Sequence, residues 1–503
     1  MAQQANLRGQ GVREPFILAL DVGTSSTRAL LFDANGDAVR GVQSQHTYEL
    51  TLSADGEVSV DPDILVETVA QTIDEALHAA GPLATSIGVV AIDTFWHSLM
   101  GVDANNKPLT PLITWEDTRP RHAAEELRAQ LNNQQIHART GARLHASYWP
   151  AKLRWLGQTQ PDVFSKVAQW ISFGEYLHRQ FVGSSVCSLS MASGTGLLNI
   201  RRRDWDSELL DILHVRREQL PPLGDLKDSV SGLTDTYASR WPALRTVPWF
   251  PAVGDGAAAN VGSGAATGDR WALTVGTSSA MRVIVSPDNT VIPMGLWLYL
   301  LDTKRGLLGG ALSEGGNVFA WMKATLCIPS LEEAEPQVAA LQPDGHGLTI
   351  LPFISGERSL GWHAGARATV MGIHTDTKPV DILRAGMEAL AYQLGAVYEQ
   401  LITALDRNEV APTILGSGGA LLNSPTFQSI IADTLNTPIY PSLGHEASAR
   451  GVALLALEAL GILPDVANVP LEVNAPVLPD SERHAIYQQG AERQEKLYHL
   501  LLG

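Results

Sequence analysis

Short apolar runs, each followed by a turn-forming cluster or by a stretch of helical period, organise this chain from residue 16 onward. Phe16–Leu20 enters Asp21-Val22-Gly23-Thr24-Ser25-Ser26-Thr27 and leaves through Arg28–Phe32, which predicts strand, tight turn, strand. Asp61–Ala80 follows with Ile64, Leu65, Val69, Ile73 and Leu77 at helical spacing, and Gly88–Asp93 predicts a buried strand. Near the middle, the extended run Pro248–Val253 enters Gly254-Asp255-Gly256 and a small-residue helix start at Ala257. Trp271–Thr274 and Met281–Val285 predict a second pair of strands around another Gly-hydroxyl turn. Further on, Thr413–Leu415 leads into Gly416-Ser417-Gly418-Gly419-Ala420, with helices predicted over Pro425–Leu435, Glu446–Leu460 and His484–Leu502. Strands alternating with amphipathic helices define an α/β class.

The two predicted hairpins share a pentapeptide. Val-Gly-Thr-Ser-Ser occupies Val22–Ser26 and again Val275–Ser279, 253 residues later and in the same strand-turn-strand setting. Glycine admits the tight turn, and neighbouring hydroxyls and backbone N–H groups converge on anionic oxygens. Ordinary turn composition accounts for one copy as well as phosphate binding does, but recurrence in matching context favours a duplicated clamp on one polyphosphate. The copies are not equivalent: the acid before the first turn, Asp21, is replaced by Thr274 before the second, which makes Asp21 the candidate for a metal-linked role.

A length of 503 residues predicts more than one core, with the division placed near Gly264–Arg270. Residues 1–14 read as a loose tail, 15–264 and 265–465 as the two duplicated domains, and 466–503 as an extension ending in a helix. No apolar run is long enough to span a bilayer and the first fifteen residues are not signal-like, so a soluble, cytoplasmic protein is expected. Cys187 and Cys327 form no Cys-x-x-Cys or Cys/His cluster, which excludes a zinc site or disulfide framework as an expectation. The formal charge of −17 argues against nucleic-acid binding, yet a nucleotide held by local N–H groups and a metal remains compatible with it.

The order Asp21-x-Gly23-Thr24, Gly254-Asp255-Gly256, Val275-Gly276-Thr277-Ser278, Gly416-Ser417-Gly418-Gly419-Ala420 resembles the FGGY family of carbohydrate kinases, over about residues 15 to 465. A family signature is also present: Ala368-Thr369-Val370-Met371-Gly372-Ile373, seven residues, then Asp381–Glu388, departing from the usual pattern at Gly386. A second signature, Lys152–Leu156, is looser, with Trp149 where a small residue or proline is usual. Within the family, Thr94-Phe95-Trp96-His97-Ser98-Leu99 is more similar to the gluconate kinases than to the xylulose kinases. Trp115-Glu116-Asp117-Thr118-Arg119 resembles a gluconate-kinase segment that most relatives carry in some form and does not choose the sugar, and Ser147 stands where glycerol kinases place tyrosine.

The resemblance implies two actin-like (ribonuclease H-like) ATPase domains related by duplication, with the active site in the cleft between them. It implies ATP and Mg²⁺ as cofactors, Asp255 as the catalytic base, and Asp21 as the Mg²⁺ holder, acting through water. Thr24, Ser25 and Ser26 would face the phosphates being transferred, and Gly276, Thr277 and Ser278 those left behind. Arg28 would steady phosphate charge or point outward as a strand cation; Gly316, Gly418, Gly419, Ala420 and Asn423 would border the nucleotide. His97, Trp115, Asp117 and Arg119 form the expected sugar-facing set, with Arg119 free for a carboxylate unless Asp117 clips it. The expected partner is a small sugar or sugar acid, first D-gluconate phosphorylated at a primary hydroxyl, then xylulose or another polyol. An actin-like binding protein without a sugar acceptor is the reading from another class. A homodimer is carried over from relatives by analogy alone.

Overall fold

The repeated pentapeptide marks a repeat of topology. The computed structural model describes residues 13–328, 330–407, 410–444 and 446–503, so the expected tail lies outside the described residues up to residue 12. Strands β1 (Phe16–Val22), β2 (Ser26–Phe32) and β3 (Ala38–Thr47) form an antiparallel meander. Helix α1 (Pro62–Ala80) then crosses over so that β4 (Ile87–Thr94) returns parallel to β1. Asp61 caps α1 by accepting from the Asp63 and Ile64 N–H groups, and Gly81 ends it. Leu65, Val69, Ile73 and Ala76 bury its inner stripe, each large side chain contributing about 1.5–3 kcal/mol. Ile64, one position off that stripe, is exposed.

Helix α2 (Trp149–Thr159) lies in the long insertion after β4. The first sheet is completed by β5 (Val230–Ser231), β6 (Pro248–Trp249) and β7 (Val253–Gly254), giving the order β5-β6-β4-β1-β2-β3 with β7 also paired to β4. Helix α3 (Asp255–Gly262) starts directly from β7. The sequence placed this start at Ala257; it begins two residues earlier, with Gly254 at the N-cap and Asp255 in the first turn.

The second sheet repeats the plan. Strands β8 (Arg270–Val275) and β9 (Ser279–Val285) form the second hairpin, followed by β10 (Trp297–Leu300) and β11 (Gly306–Leu312). Next come α4 (Gly316–Thr325), α5 (Pro379–Ala404), β12 (Thr413–Ser417), α6 (Gly419–Leu422), α7 (Pro425–Leu435), β13 (Ile439–Pro441), α8 (Ala447–Ala459) and α9 (Ser481–Leu502). The order is β10-β11-β9-β8-β12-β13. In both sheets the first hairpin strand is central, flanked by its antiparallel partner and by a parallel strand that arrives later. Register therefore equates Asp21, paired with Asp93, with Thr274, paired with Ser417. One copy carries a pair of carboxyls where the other carries two hydroxyls 3.1 Å apart.

Helices α3 and α8, each following the last strand of its sheet, cross at backbone contact. A Cβ on Gly262 would lie 1.8 Å from the Ala447 carbonyl oxygen, and one on Gly451 would lie 1.8 Å from that of Ala258. Helix α8 also packs on β1, β2 and β4, so an element of the C-terminal half covers the first sheet. Helix α9 is amphipathic as expected, burying Tyr487, Gln494 and Leu497 against α5, α7 and the 349–351 strand. Among the described residues no helix is long and apolar enough to cross a membrane.

Candidate active site

The ends of β1, β4 and β7 bring three acids together. Asp21 and Asp93 stand side by side in the parallel register, and Asp255 follows β7, which pairs with β4 at Asp93 and Thr94. Asp93 is wholly buried and neither of its oxygens finds a well-formed hydrogen bond among the described residues. Burial, then the Asp21 charge, push its pKa well above the carboxylate range. Burial raises Asp21 as well, with Asp93 and Arg28 pulling it back. Asp255 rises to about 6, mainly through burial, against the Gly256 N–H and Arg282, which favour its ionised form, and with Asp21 adding to the rise. Its Oδ1 accepts from the Gly256 N–H at 2.7 Å. A carboxyl of this pKa in a cleft is suited to accept a proton near neutrality.

The glycines of the Gly254-Asp255-Gly256 triplet have a packing reason. A Cβ at Gly254 would lie 1.9 Å from the Trp96 indole and one at Gly256 2.7 Å from it. The glycines make room for that ring, whose Nε1 donates to the Ser190 carbonyl at 3.0 Å.

Asp255 opens into a cavity of about 280 Å³ walled by both halves of the chain. From the first half come Thr24, Trp96, His97, Trp115, Ser147 and Tyr148; from the second come Ser278, Arg282, Trp297, Tyr299, Arg358 and Trp362. Each pentapeptide thus sends one hydroxyl residue to the same space. Trp115 donates from Nε1 to Thr24 Oγ1 at 3.1 Å, and Arg358 lies over the Trp115 ring, 4.8 Å from its centroid. The phenol oxygens of Tyr148 and Tyr299 join the halves at 2.5 Å. His97 adopts a left-handed backbone (φ 69°), pairs through Nδ1 with the Gly194 carbonyl, and is lowered to about 3 by burial, so its ring is neutral. Lys152, at the second signature on α2, donates to the carbonyls of His97 (2.7 Å) and Thr114 (2.8 Å), tying the His97 and Trp115 loops together.

The glycine-rich residues expected at the nucleotide converge on the second hairpin. The Gly316 N–H donates to the Gly276 carbonyl at 2.7 Å and Asn317 to Thr277 at 3.1 Å, which sets the start of α4 against the turn. Gly418, at φ 91°, passes so near Val275 that a Cβ would lie 2.3 Å from its carbonyl oxygen. A Cβ on Gly316 would touch Ala420, and one on Gly419 would reach the Asn423 amide. This leaves one glycine-lined shelf beside Thr277, which is exposed, as Ser25 is at the tip of the first turn. Arg28 does not point outward: its guanidinium lies 3.4 Å from Asp21 and 3.0 Å from Glu446, at the head of α8.

Asp117 and Arg119 do not line the cavity. Asp117 is buried and accepts from the Val58 N–H and from Arg119, whose guanidinium also pairs with Glu57 and stacks on Trp155. The pair is a structural clip that folds the Trp115 loop back on itself, leaving Arg119 no free donor face for a sugar acid. Sequence reasoning missed Arg282, Arg358, Asp93 and the aromatics Trp297, Tyr299 and Trp362. Arg282 carried a readable signal as a lone cation in an apolar strand directly after the second pentapeptide; Arg358 and Trp362 sit in a loop with no periodicity to mark them.

The FGGY carbohydrate kinase N-terminal domain matches residues 16–262, and the C-terminal domain of that family matches residues 271–460. A gluconokinase of Bacillus subtilis (strain 168) is 27% identical over 457 residues, covering 89% of this chain and 88% of the relative. Among solved structures, a gluconate kinase and a ligand-bound xylulose kinase, both from Lactobacillus acidophilus, each superpose with a TM-score of 0.88 at 28% identity, covering 97% of this chain and 98% of theirs. With both of its domains matched in order across most of the sequence, the chain belongs to the FGGY family of carbohydrate kinases, phosphotransferases with a two-domain actin-like fold.

Proposed function

We propose that this kinase transfers the γ-phosphoryl group of ATP to a primary hydroxyl of a sugar acid, D-gluconate first, and that Asp255 is the base. The observation carrying this reading is the Asp255 carboxyl, raised to about 6, in a cavity that Thr24 and Ser278 of the two turns enter from opposite halves. Phosphoryl transfer asks for an in-line hydroxyl, a neutralised polyphosphate and a proton acceptor. Asp255 takes the hydroxyl proton as the oxygen attacks. Thr24, Ser25 and Ser26 face the transferred phosphoryl, Gly276, Thr277 and Ser278 the remaining phosphates, and the shelf of Gly316, Gly418, Gly419, Ala420 and Asn423 borders the adenosine.

The acids near the ends of β1 and β4 fit a divalent cation: Asp21 stands beside Asp93, whose carboxyl is unpartnered, and Arg28 is the only cation paired with Asp21 among the described residues. Asp21 would hold Mg²⁺, largely through water, and the ion would neutralise phosphate charge. The neutral His97 ring and Trp115 offer the acceptor a hydrogen bond and an apolar face. Tyr148, Tyr299 and Trp297 close the walls and exclude water.

Gluconate is favoured by the similarity to two proteins named for it and by the cations in the cavity. Xylulose is the second reading, because a xylulose kinase superposes equally well. The test is ADP formation from Mg-ATP with gluconate, xylulose, ribulose, glycerol or no sugar. Stimulation by gluconate above the others supports the assignment; stimulation by a neutral sugar alone replaces the acceptor; ATP hydrolysis indifferent to every sugar removes the acceptor reading.

A further inference from the structure

We propose that Arg282 and Arg358 form a carboxylate subsite through which the C-terminal half of the chain recognises the acid end of the acceptor, while Asp255 addresses its hydroxyl end from the first half. The inference rests on the kinase reading above and names what makes the site selective for an acid.

Arg282 projects from β9 beside Gly256, its Nε enclosed and without a hydrogen-bond partner. Arg358 comes from the loop after the 349–351 strand and lies over Trp115. Among the described residues neither guanidinium donates a hydrogen bond within the chain and neither has a carboxylate within 4 Å, in contrast to Arg119, Arg240, Arg305 and Arg384, which are all paired. Glu116 and Glu314 feel the Arg358 charge without closing an ion pair, and burial raises the pKa of both. The histidines at the site, His97 and His145, are lowered to about 3 by burial and add no charge.

The cavity thus sets two guanidinium groups against one carboxylate, Asp255, among aromatic walls. Partly desolvated cations with unfilled donors disfavour an empty or neutral-filled site, because their lost hydration is not replaced. Each guanidinium presents five N–H donors in a planar fork matched to a carboxylate. A neutral sugar leaves those donors unpaired, and a site built around a charged hydrogen-bonding group rejects ligands lacking it far more strongly than an apolar pocket rejects a size change. Because both arginines belong to the C-terminal half, an acid bound there and reaching Asp255 spans the cleft and favours its closure.

The γ-phosphoryl group is also an anion, so the experiment must separate the two sources. The wild type, Arg282→Gln and Arg358→Gln are compared on D-gluconate and on D-glucitol, which carries a hydroxymethyl group in place of the carboxylate. Steady-state kinetics are paired with calorimetric binding of each compound without nucleotide. The wild type is expected to prefer gluconate by at least about 100-fold in kcat/KM. Each variant should raise the gluconate KM and dissociation constant by roughly that factor, lose distinctly less on glucitol, and reduce the preference below tenfold. Equal losses on both compounds with unchanged gluconate binding would assign the arginines to the phosphoryl group and overturn the subsite. A wild type that uses glucitol as well as gluconate, or turns over only neutral sugars, would overturn it while leaving the kinase reading intact. A wild type stimulated by no acceptor would overturn both. Two variants on different elements keep the test valid if one fails to fold, and thermal melts identify such a loss.

Discussion

Alanine at Gly451 tests how the crossing of α3 and α8 serves the site. The new Cβ would sit 1.8 Å from the Ala258 carbonyl oxygen and 2.5 Å from its carbon, both backbone atoms that no rotamer change can move aside. Side-chain carbons do not approach closer than about 3.0 Å, so the helices must separate by more than 1 Å at the crossing. Helix α3 carries Asp255 in its first turn, and α8 lies against β1 and β4, which carry Asp21 and Asp93 one residue from their ends. The separation is therefore delivered to the three acids. Overpacking of this kind costs about 1–3 kcal/mol of stability, and a misplacement of roughly 1 Å at reacting groups costs about 100-fold in turnover. Denaturant unfolding and steady-state kinetics of Gly451→Ala on the active acceptor measure the two. A variant with unchanged stability and kcat would refute the claim that this contact sets the position of the base.

Two other perturbations follow from the site. Because Asp255 must be ionised to accept a proton and its pKa is about 6, kcat/KM should be level above pH 7 and fall tenfold per pH unit below about 6; a profile level down to pH 4.5, with acceptor and nucleotide ionisation allowed for, would exclude it as the base. Lys152→Met removes the donor shared by the His97 and Thr114 carbonyls, each of which costs about 1–3 kcal/mol when buried and unpaired. Unfolding measurements should show a loss of at least about 2 kcal/mol, with a raised KM for the acceptor from the freed loops.

The strands and helices near the site were legible because their apolar period is regular and their ends are marked: Asp61 caps α1, and Gly416–Ala420 turns β12 into α6. Repetition of Val-Gly-Thr-Ser-Ser exposed the duplication that the register of the two sheets displays. The cavity walls were harder to read. Asp117 and Arg119 resemble ligand groups in sequence, yet their spacing of two lets one fold onto the other and satisfy both. Trp96 beside Gly254 shows the converse, since its room is made by Gly254 and Gly256, far along the chain, and no local pattern ties those glycines to that ring. Arg282 and Arg358 meet only because β9 and a distant loop face the same cleft, and nothing in local pattern records that.

The most direct measurement is ADP formation by Asp255→Asn with saturating Mg-ATP, with and without gluconate, alongside calorimetric binding of gluconate to the same variant. Asn keeps the size of the side chain and removes its basicity, and a positioned base typically contributes about 10²–10⁴-fold. The expected result is gluconate binding within a few-fold of wild type with turnover reduced by at least about 100-fold. A folded variant that binds gluconate and retains near wild-type turnover would contradict the assignment of Asp255 and, with it, the mechanism built on the cleft.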